Sequence, residues 1–296
     1  MILKVISSAN YADKEKNYGD CMIINTGLCV IVYDCGSEEH AIEVERYLDE
    51  NGYEKAHIIL SHNDADHFDG IPYLIEKDRV ASITTLLLLK HIDAILKELD
   101  DGRRNTNSLK EQIKERFDNV AKLSGNNLND SLDETLQLDP CVNFVGPDYD
   151  YMLEAVAKAL DNSESDTIDL ETIENAISVQ VELIVGNHKI LLTGDASFAA
   201  IEDKVTEYDA IQLPHHGKLA QAEKIFEANE NKPDILYLVS DNTGNSNGGS
   251  DELMKIENCA GKRIKNTKSG EINLDLNSFE ISRKGCYGDE IYSFKQ

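Results

Sequence analysis

One six-residue segment of the sequence contains four side chains of the kinds that bind metal ions. It runs from His62 to His67 in the pattern His-x-Asp-x-Asp-His. In an extended chain His62, Asp64 and Asp66 would point to the same side, and His67 follows at once. Imidazole and carboxylate groups suit Zn²⁺, Mn²⁺ or Fe²⁺, and carboxylates crowded together repel one another without a cation. The segment therefore predicts a metal site, with an exposed acidic turn as the alternative.

Two segments later in the chain carry further candidates. An apolar run at 191–192 leads through Thr193-Gly194 to Asp195, which could bind a metal or cap a helix beginning near Ser197. His215 and His216 lie between Pro214 and Gly217, after another short apolar strand. A lone histidine is usually structural, whereas an adjacent pair beside a glycine favours a functional interpretation.

The remaining histidines and the cysteines favour structural roles. His40 and His91 lie on predicted helices and are expected at the surface, His57 begins a strand, and His188 lies in a hairpin. The six cysteines have no ligand spacing and no CxxC pair, which indicates reduced, mostly buried thiols and a cytoplasmic protein.

The elements that must position the candidate residues follow from the apolar pattern. Residues 21–25 and 28–33 predict a hairpin around Thr26-Gly27, and 39–50 predict an amphipathic helix that Asn51-Gly52 ends. Further strands are predicted at 57–61, 84–89, 177–185, 188–193, 210–213, 235–240 and 271–276, followed by two more β-like segments, with helices near 219–229 and 251–258. This order favours one α/β domain over 1–296, a four-layer αββα sandwich, with a doubly wound sheet as the alternative.

Residues 90–138 differ from the rest of the chain. They are highly charged, and 91–99 and 109–123 have helical periodicity. The segment predicts a helical insertion that could be a lid, a surface for a protein partner, or a solvated elaboration of the fold.

Composition limits the classes of function. The chain has 29 basic and 55 acidic residues, a formal net charge of −26. This charge argues against broad, non-specific nucleic-acid binding, which depends on Lys and Arg neutralising phosphates. No apolar run is long enough to cross a bilayer, and the N-terminus lacks the layout of a signal peptide. We therefore expect no membrane association; the sequence does not predict an oligomeric state.

Taken in order, these segments resemble the metallo-β-lactamase superfamily, and most closely the branch containing the hydrolase domain of the bacterial competence DNA-uptake channel. Residues 18–21 and 31–36 look like its opening hairpin and first Asp motif, and 61–70 like its second motif. Residues 178–195 look like its fourth motif, 213–217 are similar to the His-His-Gly signature of that branch, and 267–272 to its closing strand. Asp64 replaces the middle histidine of the common pattern, as it does in that branch, and no histidine lies between His91 and His188 to serve as the third motif.

The resemblance implies the metallo-β-lactamase fold and a site for two divalent metal ions, Zn²⁺ or Mn²⁺. The first ion would bind His62, Asp64 and Asp195, weakly because the third-motif histidine is missing. The second would bind Asp66, His67, Asp195 and one histidine of the pair, for which we favour His215. His216 would then face the substrate, and Asp66 would orient the attacking water or accept its proton. Asp34 is expected to shape the pocket through hydrogen bonds, and Lys218 to be solvated or to meet an anionic substrate.

Three functions remain in competition. The first is phosphodiester hydrolysis on a nucleic acid or nucleotide, and the basic segment 262–268 would support it if it lies beside the metal site; otherwise it is a solvated strand edge. The second is hydrolysis of a small ester, lactone or thioester, because one fold hosts many reactions. The third is a partner-dependent module of a multi-protein system, such as a defence system, that docks its partner through 90–138.

Overall fold

The structure is a computed structural model that describes residues 1–99, 105–161, 167–244, 249–255, 259, 261–283 and 290–292. The strands are β1 Ile2–Val5, β2 Cys21–Asn25, β3 Val30–Cys35, β4 Ala56–Ile59, β5 Val80–Thr85, β6 Leu128–Asp130, β7 Val142–Gly146, β8 Thr167–Ile168, β9 Glu171–Thr172, β10 Gln180–Val185, β11 His188–Leu192, β12 Ala210–Gln212, β13 Leu236–Val239, β14 Arg263–Asn266, β15 Ile272–Asp275, β16 Glu280–Arg283 and β17 Glu290–Tyr292. The helices are α1 Glu38–Asn51, α2 Ala65–Phe68, α3 Ile71–Glu76, α4 Ile92–Leu99, α5 Thr106–Arg116, α6 Asp118–Lys122, α7 Tyr149–Leu160, α8 Ile173–Ala176, the kinked turn α9 Pro214–Gly217 and α10 Leu219–Ala228.

The strands form two large sheets. The nine-stranded sheet has the order β17-β16-β15-β1-β2-β3-β4-β5-β6, and the six-stranded sheet has the order β14-β13-β12-β11-β10-β7. Strands β3 to β6 are parallel in the first sheet, and β11 to β14 are parallel in the second. The short hairpin β8–β9 stands apart from both sheets.

The two sheets pack face to face, and helices cover their outer faces. Side chains from both sheets, among them Tyr33 of β3 and Leu192 of β11, share one buried core. A second core lies between the first sheet and α1, and a third between the second sheet and α10. The strands are apolar on both faces because both faces are buried, as expected of sheets inside a layered fold. The fold is thus the αββα sandwich that the sequence predicts.

Local signals account for the best-predicted elements. Ser37 caps α1 by accepting a hydrogen bond from the His40 backbone N–H, and Gly52 ends the helix in the left-handed region at φ 74°. The β2–β3 and β10–β11 hairpins form as predicted.

Three predictions are wrong. The strand predicted at 84–89 ends at Thr85, and Leu88 begins a short 3₁₀ turn. His40 is fully buried on α1, packed near the rings of Tyr11 and Tyr18. The helix predicted at 251–258 is replaced by 3₁₀ turns at Gly249–Asp251 and Leu253–Lys255; residues 256–258 lie outside the described ranges.

The segment 90–138 is helical over α4, α5 and α6 but ends in β6, which joins the edge of the first sheet. Its helices contribute Ile95 and Ile113 to the central core. Asn63, inside the predicted metal motif, accepts hydrogen bonds from the backbone N–H groups of Asn119 and Val120 in α6. The segment is therefore attached directly to the candidate site. Within the described ranges, none of the helices combines the length and apolar character needed to span a bilayer.

Candidate metal centre

The candidate centre lies where the parallel strands of the two sheets end. His62 follows β4, Asp66 and His67 lie on α2, Asp195 follows β11, and His216 follows β12. Ligand sites of open α/β sheets commonly form at the carboxyl ends of parallel strands, because loops from several strands meet there. Segments more than a hundred residues apart in sequence thus meet at one point.

Two groups of these residues could each hold a metal ion. The first group is His62, His67 and Asp195, and the second group is Asp66, His67 and His216, so His67 is shared. In the first group the Nε2 atoms of His62 and His67 lie 4.0 and 3.4 Å from the two oxygens of Asp195. In the second group, His216 Nε2 lies 3.0 Å from Asp66 Oδ2.

Asp64 adjoins the first group and is partly exposed. Its Oδ2 lies 3.6 Å from His62 Nε2, and its side chain is 45% exposed, compared with 2% for His62. The first group is therefore open toward solvent on the side of Asp64.

The atoms facing the centre include buried polar atoms that have no hydrogen-bond partner. They are Nε2 of His62, Nε2 of His67 and Oδ1 of Asp195. Buried polar atoms are normally paired, since an unpaired one costs roughly 1–3 kcal/mol. Two nitrogens and one carboxylate oxygen converging in this way form the donor set that Zn²⁺ and similar ions prefer. The residues therefore fit divalent metal ions.

A second layer of carboxylates fixes the histidines of the second group. His67 Nδ1 lies 2.8 Å from Asp34 Oδ2, and His216 Nδ1 lies 2.9 Å from Asp20 Oδ1. Asp34 also accepts hydrogen bonds from the backbone N–H and the hydroxyl of Ser61, so it shapes the pocket as expected. Metal-ligating histidines usually bond a carboxylate or carbonyl through their other nitrogen, which fixes the ring and its tautomer.

The electrostatics of the centre favour protonated histidines beside ionised carboxylates. Burial opposes the charged form of His67, but Asp195 and Asp34 outweigh it and raise its pKa well above the usual value. Burial likewise opposes a charged His216, whereas Asp20 and Asp66 raise its pKa. The carboxyl groups shift the other way: burial raises the pKa of Asp195, but His67 and His215 lower it well below the usual range. In the metal-free protein protonated histidines thus balance carboxylates, and bound cations would displace those protons.

The order expected for the histidine pair is reversed in the structure. His216 is 5% exposed and lies in the second group, where His215 was expected. His215 is 32% exposed, and its Nδ1 lies 2.6 Å from Glu171 Oε2 and 3.9 Å from Asp195 Oδ2. The reason is the backbone, because both histidines have positive φ, 52° and 54°, and the kinked turn α9 directs the second side chain inward.

Two glycines allow α2 to lie close to the β2–β3 hairpin. A Cβ atom at Gly19 or Gly36 would lie 1.7 or 2.0 Å from the carbonyl oxygen of Asp66, so no larger residue fits. The same carbonyl accepts a hydrogen bond from the Asp20 N–H at 2.9 Å. Asp66 is thereby held beside Asp20, the residue that orients His216.

Sequence reasoning missed several residues of the centre, among them Asn17, which donates a hydrogen bond to Asp66 Oδ2 at 2.8 Å. Asp20 lies in the quoted opening hairpin, but the spacing did not reveal its contact with His216. Glu171 and Asn175 lie in a stretch without a motif, yet Asn175 Nδ2 lies 3.5 Å from Asp195 Oδ2. For Lys218 the sequence left two alternatives, a solvated side chain or one that meets the substrate. In the structure its Nζ lies 3.0 Å from Glu171 Oε2.

The basic segment 262–268 forms the edge strand β14 and the turn after it. Lys268 pairs with Asp241 and Asp251, and Arg263 donates to the Asp234 carbonyl. In the described structure these two side chains are thus engaged with the protein itself.

Comparisons with known proteins agree with this architecture. The family model of the metallo-β-lactamase superfamily matches residues 16–120, which include His62 to His67 and end before Asp195. Members of this superfamily are generally metal-dependent hydrolases. The chain has the metallo-β-lactamase fold.

Solved structures with similarity to the chain share little of its sequence. One is the metallo-β-lactamase fold protein YhfI from Bacillus subtilis, with 15% identity, a TM-score of 0.49, and coverage of 90% of this chain and 98% of that one. Another is Igni18, a metallo hydrolase from the archaeon Ignicoccus hospitalis, with 12% identity, a TM-score of 0.46, and coverage of 94% and 100%. The comparison with curated proteins found no match.

Proposed function

We propose that this protein is a metal-dependent hydrolase that cleaves phosphodiesters with a metal-activated water. The observation that carries the proposal is the convergence of buried, unpartnered donor atoms of His62, His67 and Asp195 at the strand ends. Other buried atoms of the described residues also lack hydrogen-bond partners, but these three belong to metal-binding residue types and converge on one point.

We take the ligand pattern that the resemblance implies and replace His215 by His216, which the structure places in the second group. This pattern shares Asp195, and it assigns His67, which lies in both groups by distance, to the second cation. One cation would take His62, Asp64 and Asp195, and the other would take Asp66, His67, His216 and the shared Asp195. The carboxylate-rich donor set accommodates Mn²⁺ as well as Zn²⁺. The first of these positions is expected to be the weaker one, because Asp64 is partly exposed and no third-motif histidine completes it.

The chemistry follows from charge and position. Bound divalent cations would lower the pKa of water and offset negative charge on the scissile group. Asp66 would orient the attacking water or accept its proton, and Asn17 and His216 hold its Oδ2 at 2.8 and 3.0 Å. The new phosphorus–oxygen bond forms as the bond to the leaving oxygen breaks. His215, at the accessible side of the centre, supplies the proton that this oxygen needs.

A phosphodiester is favoured over other esters by the side chains around the accessible part of the centre. His215 and Lys218 are two basic side chains that share the single carboxylate of Glu171. The His-His-Gly segment is similar to that of the competence-type branch. The substrate would be small or locally bound, because the net charge of −26 opposes a long polyanion.

The direct test combines metal analysis with hydrolysis of bis(p-nitrophenyl) phosphate in added Zn²⁺ or Mn²⁺. We expect stoichiometric metal and turnover that the Asp66→Ala variant loses, whereas the exposed control Asp69→Ala retains both. Metal binding without turnover of any ester would favour a partner-dependent module that docks through 90–138. Absence of bound metal would contradict the ligand assignments.

A second candidate function, hydrolysis of a carboxylic ester or thioester, is favoured by one observation. A cavity of about 510 Å³ lies between the 3₁₀ turn after β5 and helices α5 and α6, and it is lined almost entirely by apolar side chains. Leu86, Leu88, Phe117 and Val120 line both this cavity and a narrow space beside His62. An acyl chain could occupy this cavity beside the centre. Turnover of p-nitrophenyl octanoate with no turnover of the phosphodiester would select this function.

The cysteines bear on the compartment. The five described ones, Cys21, Cys29, Cys35, Cys141 and Cys259, are all free. This supports a reducing compartment, and we propose the cytoplasm.

A further inference from the structure

A buried carboxylate that belongs to neither metal group lies next to His215. Glu171 is the first residue of β9, and it is only 1% exposed. We propose that Glu171 is a positioning residue that holds the His215 imidazole, and with it Lys218, toward the leaving group of the substrate. This inference rests on the proposed hydrolytic function and deepens it.

The contacts of Glu171 use both of its carboxylate oxygens. Oε2 lies 2.6 Å from His215 Nδ1 and 3.0 Å from Lys218 Nζ, and Oε1 accepts from Gln221 Nε2 at 3.0 Å. A buried carboxylate is costly unless it is paired and hydrogen-bonded, so a side chain this enclosed depends on these partners. The three partners come from α9, the residue after it and α10, and within the described ranges the contacts form one connected network.

The hairpin that carries Glu171 is itself anchored to α10. Gln221 Nε2 also donates to the Asp169 carbonyl at 2.8 Å, Lys218 donates to the Leu170 carbonyl at 3.0 Å, and Lys224 pairs with Asp169. These bonds attach β8–β9 to the same segment that carries His215. The hairpin and the histidine therefore form one unit beside the metal ligands.

The consequence for His215 concerns its second nitrogen. Because Glu171 engages Nδ1, Nε2 is the nitrogen left for substrate, on a ring that is 32% exposed. When the bond from phosphorus to the leaving oxygen breaks, its electron pair goes to that oxygen, and the Nε2 proton of His215 neutralises it. A carboxylate on Nδ1 fixes the ring orientation needed for this transfer, as in other acid–base histidines.

The experiment compares Glu171→Gln with Glu182→Gln. Glu182 is also a buried carboxylate with a lysine partner, but it lies on β10 away from His215. Each protein is assayed on two methyl aryl phosphodiesters, one with a p-nitrophenyl and one with a phenyl leaving group. We expect Glu171→Gln to lower kcat ~10²-fold on the phenyl ester and only a few-fold on the p-nitrophenyl ester, which needs little protonation. The KM and bound metal should stay within about twofold of wild type.

A second measurement does not depend on turnover. In ¹⁵N NMR spectra of the histidine side chains, the Nδ1–H signal of His215 is identified by its loss in His215→Ala. We expect Glu171→Gln to shift or broaden that signal, whereas Glu182→Gln leaves it unchanged. In the double variant Glu171→Gln/His215→Ala, the loss in kcat should equal that of His215→Ala alone, because the two residues act as one unit.

Different failures have different meanings. Equal losses on both substrates, loss of metal in Glu171→Gln, or an unchanged His215 signal would overturn the role of Glu171 while leaving hydrolysis in place. If the wild-type protein binds metal but turns over neither phosphodiesters nor carboxylic esters, the proposed function fails, and the role of Glu171 fails with it.

Discussion

The two groups of candidate ligands differ in how firmly the surrounding protein holds them. Both histidines of the second group, His67 and His216, are backed by the buried carboxylates Asp34 and Asp20. In the first group, His62 Nδ1 bonds only the Ser61 hydroxyl among the described contacts, and the adjoining Asp64 is 45% exposed. The second position is therefore prearranged, whereas the first depends on a partly exposed carboxylate. We expect one tight and one weaker metal position.

The largest effect should come from Asp195, because both proposed metal positions share it. Asp195→Ala removes a carboxylate that lies near both His62 and His67, so we expect neither position to retain metal after dialysis and kcat to fall by at least ~10³-fold. Plasma mass spectrometry of bound metal and the phosphodiester assay test this. Asp234→Ala, an exposed site in the turn before β13, should match wild type. Retention of one full equivalent of metal would show that Asp195 is not shared.

The carboxylates behind the histidines give the next largest effect. Asp20→Asn keeps the shape of the side chain but removes the charge that orients His216, so affinity at the tight position should fall roughly 10- to 100-fold. Titration with Zn²⁺ against a competing chelator measures this constant. The weaker position should keep its constant, because Asp20 has no described contact with His62, Asp64 or Asp195. Equal weakening of both positions would contradict the difference between the groups.

Asp64→His should reduce the difference in metal affinity between the two positions. The imidazole supplies a nitrogen donor at a position where the common superfamily pattern has histidine, and we expect Zn²⁺ affinity at the weaker position to rise about tenfold. Asp69→His, at the opposite end of α2 and exposed, adds a histidine away from the candidate ligands and serves as the control. If the Zn²⁺ occupancy of the weaker position stays unchanged in Asp64→His, the exposed carboxylate does not limit metal binding there.

The smallest effect concerns how stability depends on pH, and it comes from His40, whose ring packs near that of Tyr18. Burial lowers the pKa of His40 to about 3, so the folded protein keeps it neutral while the unfolded chain protonates it below its ordinary pKa of about 6.5. Stability is therefore lost as the pH falls from about 6.5 toward 3, by up to ~1.4 kcal/mol per pH unit from this group.

Urea unfolding at pH 7 and pH 5 measures this dependence, and we expect His40→Leu to reduce it. His188→Asn, at a half-exposed histidine, should leave it nearly unchanged. If wild type and His40→Leu lose the same stability between the two pH values, His40 is not held neutral.

The same two groups show what a sequence can reveal. His62, Asp66 and His67 were found because their spacing is local and their chemistry is distinctive. Asp20 and Glu171 were missed because their partners lie 196 and 44 residues away, and only the packing of the two sheets brings them together. The order of His215 and His216 depends on two positive φ angles, which no residue type at those positions signals.

The fold predictions were correct where turn or cap residues mark the ends of an element, and wrong where the surroundings of a residue decide its place. The hairpins and α1 have turn or cap residues that fix their ends, so pattern and structure agree. The leucines at 86–89 have the composition of a strand, but they leave the sheet and line the apolar cavity. His40 is polar and helical, yet it is completely buried, and its ring packs near those of Tyr11 and Tyr18.

The left-handed turn at His215 and His216 has an evolutionary consequence. Non-glycine residues in this conformation each cost roughly 1–3 kcal/mol, a cost that glycine largely avoids. Glycine would relieve this strain, but it would leave the buried carboxylates Asp20 and Glu171 without their histidine partners. A laboratory selection for thermal tolerance alone should therefore keep both histidines and acquire its stabilising substitutions elsewhere in the chain.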